Sequence, residues 1–130
     1  MKQIPLRVHV TTMGCSKNLV DSEVLMGRMS AAGSKVIHQD AMEYADVAII
    51  NTCGFIEDSI VENIRQIMEI THAKDHGIVK KVIVMGCLVQ RFKEQLELEI
   101  PEVDKFYGVD EMEQILHDLG TEYRQELLGE

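Results

Sequence analysis

The chain has 130 residues and a formal net charge of −9, which leaves room for one domain and excludes a basic nucleic-acid-binding surface as the leading reading. Hydrophobic residues make up 45% and charged residues 27%, values that argue against disorder. With no Trp and only 5% aromatics, the core must be built from aliphatics and methionines. No apolar run approaches ~18 residues, so no membrane span is expected. The start, Met1-Lys2-Gln3-Ile4-Pro5-Leu6-Arg7, lacks the apolar stretch of a signal peptide, and a cytoplasmic location is expected.

The elements follow in order. Leu6 to Thr12 alternates apolar and polar with β-branched residues and ends near Gly14, which predicts a strand. From Asn18 to Ala32 the residues Val20, Val24, Leu25 and Met29 recur at helical spacing, and Gly33 is a natural stop. Lys35 to His38 is a short strand. Val47-Ala48-Ile49-Ile50 is a continuous apolar run, the signature of a strand buried on both faces. A helix is expected from Ile56 to His72, with Ile60, Ile64, Ile67 and Met68 on one face and Val61 beside it. Val82 to Met85 is the next buried strand. Leu88, Val89, Phe92 and Leu96 predict a helix closed before Pro101. Lys105-Phe106-Tyr107 is a weak fifth strand, and Met112, Ile115, Leu116 and Leu119 line a last helix.

Strands alternating with helices imply an α/β fold: a three-layer sandwich with a mostly parallel five-stranded sheet in the flavodoxin-like order 2-1-3-4-5. Residues 1–120 read as the domain, and 121–130 as a polar tail or the start of a linker. Charge is uneven. Residues 91–130 carry 4 basic and 12 acidic side chains, against 9 and 10 in residues 1–90. This is either a solvated surface or one that meets a basic partner or a following domain.

The three cysteines are an odd number and widely spaced, which does not suit a disulfide framework. Cys15 follows the first strand, Cys53 the third and Cys87 the fourth. Intervals of 38 and 34 residues make sense as one position repeated on three βα units. In the expected order those strands are neighbours, with about 4.8 Å between adjacent strands. The thiols therefore fall at the carboxyl edge, where open α/β sheets bind ligands and helix N-termini favour anions. Three readings stay open on spacing alone: buried cysteines of the core, a three-cysteine metal or iron–sulfur site, and a nucleophilic thiol.

Several rivals fit poorly. A phosphatase-type thiol wants an Arg six positions on, where Asp21, Ser59 and Lys93 stand. There is no G-x-G-x-x-G or P-loop. A receiver domain wants an Asp after the third strand, where Asn51-Thr52-Cys53 stands. None of His9, His38, His72, His76 and His117 falls in a cysteine loop. A flavodoxin-like binding module without a cluster, and a protein-contact domain with an acidic face, remain as alternatives.

Three segments carry a family resemblance. Gly14-Cys15-Ser16-Lys17-Asn18-Leu19-Val20-Asp21-Ser22-Glu23, Asn51-Thr52-Cys53-Gly54-Phe55-Ile56 and Gly86-Cys87-Leu88-Val89-Gln90-Arg91 resemble the motifs of the methylthiotransferase family of radical S-adenosylmethionine enzymes. Ser16-Lys17-Asn18 looks like the RimO branch, which modifies an aspartate of a small-subunit ribosomal protein. The stretch Glu99 to Gly108 is similar to Bacteroidetes members of that branch. The tRNA-modifying MiaB branch typically carries Gln-Met-Asn after its first cysteine.

The resemblance covers roughly residues 6–120. It implies an auxiliary [4Fe–4S] cluster held by Cys15, Cys53 and Cys87, with one iron left open. Lys17, Asn18, Asp21, Ser22, Asn51 and Thr52 are candidates for the cluster mouth or a substrate-facing surface. Asn18 has a second reading as a helix cap, and Asn51 as a tie between loops. The family continues into a radical domain, which binds S-adenosylmethionine and a second cluster, and then a TRAM domain. Neither motif set is present in this sequence, so the expectation is an N-terminal domain that is inert alone. Its expected partners are those two domains and the ribosomal protein substrate.

Overall fold

The apolar runs at residues 47–50 and 82–85 are buried throughout. They form the middle of a sheet covered on both faces. The structure, a computed structural model, describes residues 3–14, 16–39, 43–54 and 57–129, apart from the side chains of Glu57 and Asp58. In chain order the elements are β1 (Arg7–Thr12), α1 (Ser16–Ala31), β2 (Lys35–His38), β3 (Ala45–Thr52), α2 (Glu57–Asp75), β4 (Val79–Gly86), α3 (Cys87–Glu99), β5 (Lys105–Tyr107), α4 (Met112–Gly120) and α5 (Glu122–Leu128). The strand order is β2-β1-β3-β4-β5 and every pairing is parallel. The fold class and order are those expected from the sequence.

Alternation along the strands divides the core into two layers. Val47, Ile49, Ile83 and Met85 pack with Leu25, Met29, Ile115, Leu119 and Tyr123, from α1, α4 and α5. Ala48, Ile50, Val82 and Val84 pack with Ile67, Ile70, Leu88 and Leu96, from α2 and α3. Among the described residues no helix is long and apolar enough to cross a membrane.

Two helix faces differ from their expected ones. On α1 the buried stripe is Asn18, Ser22, Leu25 and Met29, while Val20 and Val24 are exposed, at 57% and 49%. The start of α1 passes over the carboxyl edge of the sheet. Loop carbonyls are its neighbours there, so amides and hydroxyls are buried in place of aliphatics. On α2 the buried positions are Asn63, Ile67, Ile70 and Thr71, with Met68 and Val61 exposed. The stripe is rotated away from the one that isoleucine spacing suggested. In α3, Leu88, Val89 and Leu96 are buried as expected, and Phe92 leaves helical geometry at φ −131°, ψ 28°.

The polar stretch after Gly120 is also structured. Tyr123 in α5 is buried, Glu126 pairs with Lys81 at 2.6 Å and Glu122 with Lys105 at 3.2 Å. One aromatic and two ion pairs replace the apolar periodicity that would have marked a helix.

Asp118 anchors α4 to β5. It is buried, and it accepts hydrogen bonds from Tyr107 Oη at 2.6 Å, Gln114 Nε2 at 2.9 Å and Lys105 Nζ at 3.2 Å. Burial alone would raise the carboxyl pKa. The bonds from Tyr107, Gln114 and Lys105 outweigh it and hold the group below its ordinary value. Burial and the Asp118 contact push the Tyr107 phenol well up, so it stays a neutral donor. A depressed folded pKa stabilises the fold above the unfolded value of about 3.9, and that contribution disappears as pH falls through the folded value. The melting temperature is therefore expected to drop on acidification below about pH 4. In Asp118→Asn this part of the acid limb should be flatter. Asp118→Ala, which strands the Tyr107 hydroxyl, should cost about 2 kcal/mol at neutral pH.

Candidate functional site

Strands β1, β3 and β4 are adjacent, and a cysteine follows the carboxyl end of each. Cys53 comes directly after β3 and is buried, and Cys87 opens α3 and is half-buried. Cys15 lies outside the described residues, but its neighbour Gly14 does not. Gly14 takes φ +88°, and a Cβ placed on it would stand 2.4 Å from Cys53 Cβ and 2.8 Å from Cys53 Sγ. The backbone next to Cys15 therefore rests against the Cys53 side chain.

The other two loops interlock in the same way. A Cβ on Gly54 would be 3.0 Å from Leu88 Cα, so the residue after Cys53 lies against the residue after Cys87. Gly86 takes φ +103°, and a Cβ there would be 2.6 Å from Thr52 O and 2.7 Å from Asn51 Oδ1. Only glycine combines that backbone angle with that approach. The segments flanking all three cysteine positions are in van der Waals contact at one edge.

Buried polar side chains knit these segments together. Asn18 Nδ2 donates to Met13 O and to Thr52 O, both at 2.8 Å. One amide thus holds the residue two before Cys15 and the residue one before Cys53. Asn18 does not cap α1, because the helix begins at Ser16 and the side chain donates outward to the loops. Asn51 Nδ2 donates to Asn18 O at 3.0 Å and to Ser22 Oγ at 3.1 Å. Thr52 Oγ1 donates to Met85 O at 2.6 Å and accepts from Leu88 N at 3.3 Å. Asn18, Ser22, Asn51 and Thr52 are all buried. Lys17 and Asp21 stand outside, as an exposed ion pair at 3.7 Å.

Two further residues belong to this network and were not singled out by sequence reasoning. Asn63 Oδ1 accepts the Cys53 N–H at 2.8 Å. Its signal was a lone amide inside the apolar stripe of α2. Arg91 Nη1 donates to Gly54 O, joining α3 to the Cys53 loop. Its signal was only its place at the end of the third motif. Of the histidines, His72 and His76 lie near the far end of α2 with ring centroids 4.4 Å apart, while His38, at the end of β2, meets Thr12.

Chemically, the described part of the edge offers soft sulfur donors, Cys53 and Cys87, on hydrogen-bonded segments. Among the described residues no group of three His, Cys, Asp or Glu is gathered for a metal; Cys15 is not among those residues. A set of three thiolates suits iron–sulfur clusters and other soft metals better than hard cations. The described residues fit such a group: Gly14 leaves the space beside Cys53 Sγ clear of a side chain, and Gly54 lets the Cys53 loop lie against Leu88, next to Cys87.

Comparison with known proteins adds family and fold. Residues 7–108 match the family described as Uncharacterized protein family UPF0004. Similar relatives bear the name Ribosomal protein uS12 methylthiotransferase RimO. That of Flavobacterium psychrophilum is 47% identical over 124 residues, 95% of this chain and 28% of that protein. That of Bacteroides thetaiotaomicron is 48% identical over 121 residues, covering 93% and 28%. That of Phocaeicola vulgatus is 50% identical over 119 residues, covering 92% and 28%. The chain thus spans about 28% of the length of these relatives. Among solved structures it is similar to the crystal structure of a pilus assembly protein CpaE from Caulobacter crescentus, with a TM-score of 0.56 over 95% of this chain and 97% of that one. At 14% identity that likeness concerns the fold alone.

Proposed function

The chain belongs to protein family UPF0004, and on that basis we propose that its carboxyl edge holds a [4Fe–4S] cluster through Cys15, Cys53 and Cys87. The observation that carries this reading is the interlocking of Gly14 with Cys53 and of Gly54 with Leu88. Gly14 keeps the space beside Cys53 Sγ free of a side chain, and Gly54 lets the Cys53 loop close on the start of α3, where Cys87 stands. When bound, such a cluster with three protein thiolates keeps one iron open to an external ligand.

The polypeptide's part is positional. Asn18, Asn51 and Thr52 fix the loop spacing, and Asn63 and Arg91 hold the two ends of the Cys53–Gly54 segment. Lys17 and Asp21, an ion pair at the exposed rim of α1, would meet a substrate or a neighbouring domain. The relatives' printed name supports a methylthiotransferase acting on ribosomal protein uS12; an aspartate of that protein would be the acceptor. The S-adenosylmethionine chemistry and the second cluster would belong to a radical domain in the rest of the relatives' length, followed by a TRAM domain, and this domain alone would be inert. The linker to those domains would follow α5.

Anaerobic reconstitution with iron and sulfide tests the reading. The expected result is a broad visible iron–sulfur band with about four irons per chain. A chain that binds flavin and takes up no iron would overturn it.

A further inference from the structure

The end of β2 reaches the cysteine edge from the outer side of the sheet. His38 is the last residue of β2, and Thr12 is the last of β1, three before Cys15. His38 Nε2 lies 2.8 Å from Thr12 Oγ1. Thr12 Oγ1 also shares a hydrogen bond with Ser22 Oγ at 2.7 Å, so this one hydroxyl joins the imidazole to Ser22. Ser22 Oγ also accepts from Asn51 Nδ2, whose second N–H goes to Asn18 O. An unbroken line of hydrogen bonds thus runs from a half-exposed imidazole to the amides that strap the Cys15 and Cys53 loops.

The neighbouring residue reinforces the grip. Gln39 Oε1 accepts the Thr12 N–H at 3.2 Å, and the Gln39 N–H donates to Val10 O at 3.0 Å. Gln39 adopts φ +57°, a region that non-glycine residues enter at a cost. The chain accepts that conformation where Gln39 closes on β1.

We propose that His38 is a positioning residue for the cluster site. Through its hydrogen bond with Thr12 it sets the exit of β1 and the Ser22–Asn51–Asn18 strap, and so presets the Cys15 and Cys53 loops to hold their metal cluster. The inference rests on the cluster reading above. Residues that orient metal ligands from outside the coordination sphere are commonly worth 10–100-fold in metal affinity.

The test compares wild type, His38→Ala, His38→Gln and Thr12→Val. Each is reconstituted anaerobically with iron and sulfide and then challenged with an iron chelator while the visible band decays. His38→Ala and Thr12→Val should lose the band about tenfold faster than wild type. His38→Gln should recover most of the difference, because its amide can hydrogen-bond Thr12 as donor or acceptor. Melting temperatures before reconstitution should stay within a few degrees of one another. Wild-type decay in both His38→Ala and Thr12→Val would overturn the proposal. So would decay of His38→Gln as fast as His38→Ala, since a hydrogen bond to Thr12 would then not be what matters. A wild type that takes up no cluster would overturn the cluster reading and this inference with it.

Discussion

Gly86→Ala should destabilise the chain by about 3 kcal/mol or more, read as a fall in the urea midpoint. Two effects add. The residue sits at φ +103°, where a side chain brings backbone strain of about 1–3 kcal/mol. Its new methyl would also meet Thr52 O at 2.6 Å and Thr52 N at 2.9 Å, backbone atoms of a central strand that cannot move aside cheaply. For a domain with about 5–15 kcal/mol in total this is a large fraction. Gly77→Ala is the matched control. Gly77 also has positive φ, +76°, but nothing lies within 4 Å of its missing Cβ. It should cost only about 1 kcal/mol. Equal losses in the two variants would show that the β4–β3 approach is looser than described.

Asn18→Leu should cost about 2–4 kcal/mol, although the side chains are similar in size. The amide donates to Met13 O and Thr52 O, and leucine leaves both carbonyls without that donor beneath a helix. Each buried polar group left unsatisfied costs about 1–3 kcal/mol. The variant also uncouples the Cys15 loop from the Cys53 loop, so the reconstituted protein should lose its cluster to a chelator faster than wild type. Val20→Ala on the same helix tests the exposed side. With Val20 57% exposed, it should change stability by no more than about 0.5 kcal/mol. A larger loss at Val20 than at Asn18 would put the apolar face of α1 inward after all.

The contrast between Asn18 and Val20 marks where the sequence could and could not be read. Val47–Ile50 and Val82–Met85 are legible as central strands because burial on both faces removes all alternation. The strand order follows once helices separate the strands. Spacing of apolar residues fails where a helix end lies over loops. Valine is then the solvent residue and asparagine the buried one, since what lies beneath is a row of carbonyls. Met68 fails for a related reason, because the Asn63 amide must reach the Cys53 N–H and that turns α2. Helix α5 is nearly invisible in sequence, since Tyr123 and ion pairs to the distant Lys81 and Lys105 hold it. The gathering of the cysteine loops was legible because one position recurs on three βα units. The amides that hold the loops were not, because hydrogen bonds between segments more than 30 residues apart leave no local pattern.

Three cysteines from three loops are proposed to hold one cluster. Iron and sulfide content after anaerobic reconstitution decides this, with wild type beside Cys15→Ala, Cys53→Ala and Cys87→Ala. About four irons per chain are expected in wild type, with a large loss in each single variant and the apo fold retained. Full iron and sulfide content in any one of the three variants would contradict it.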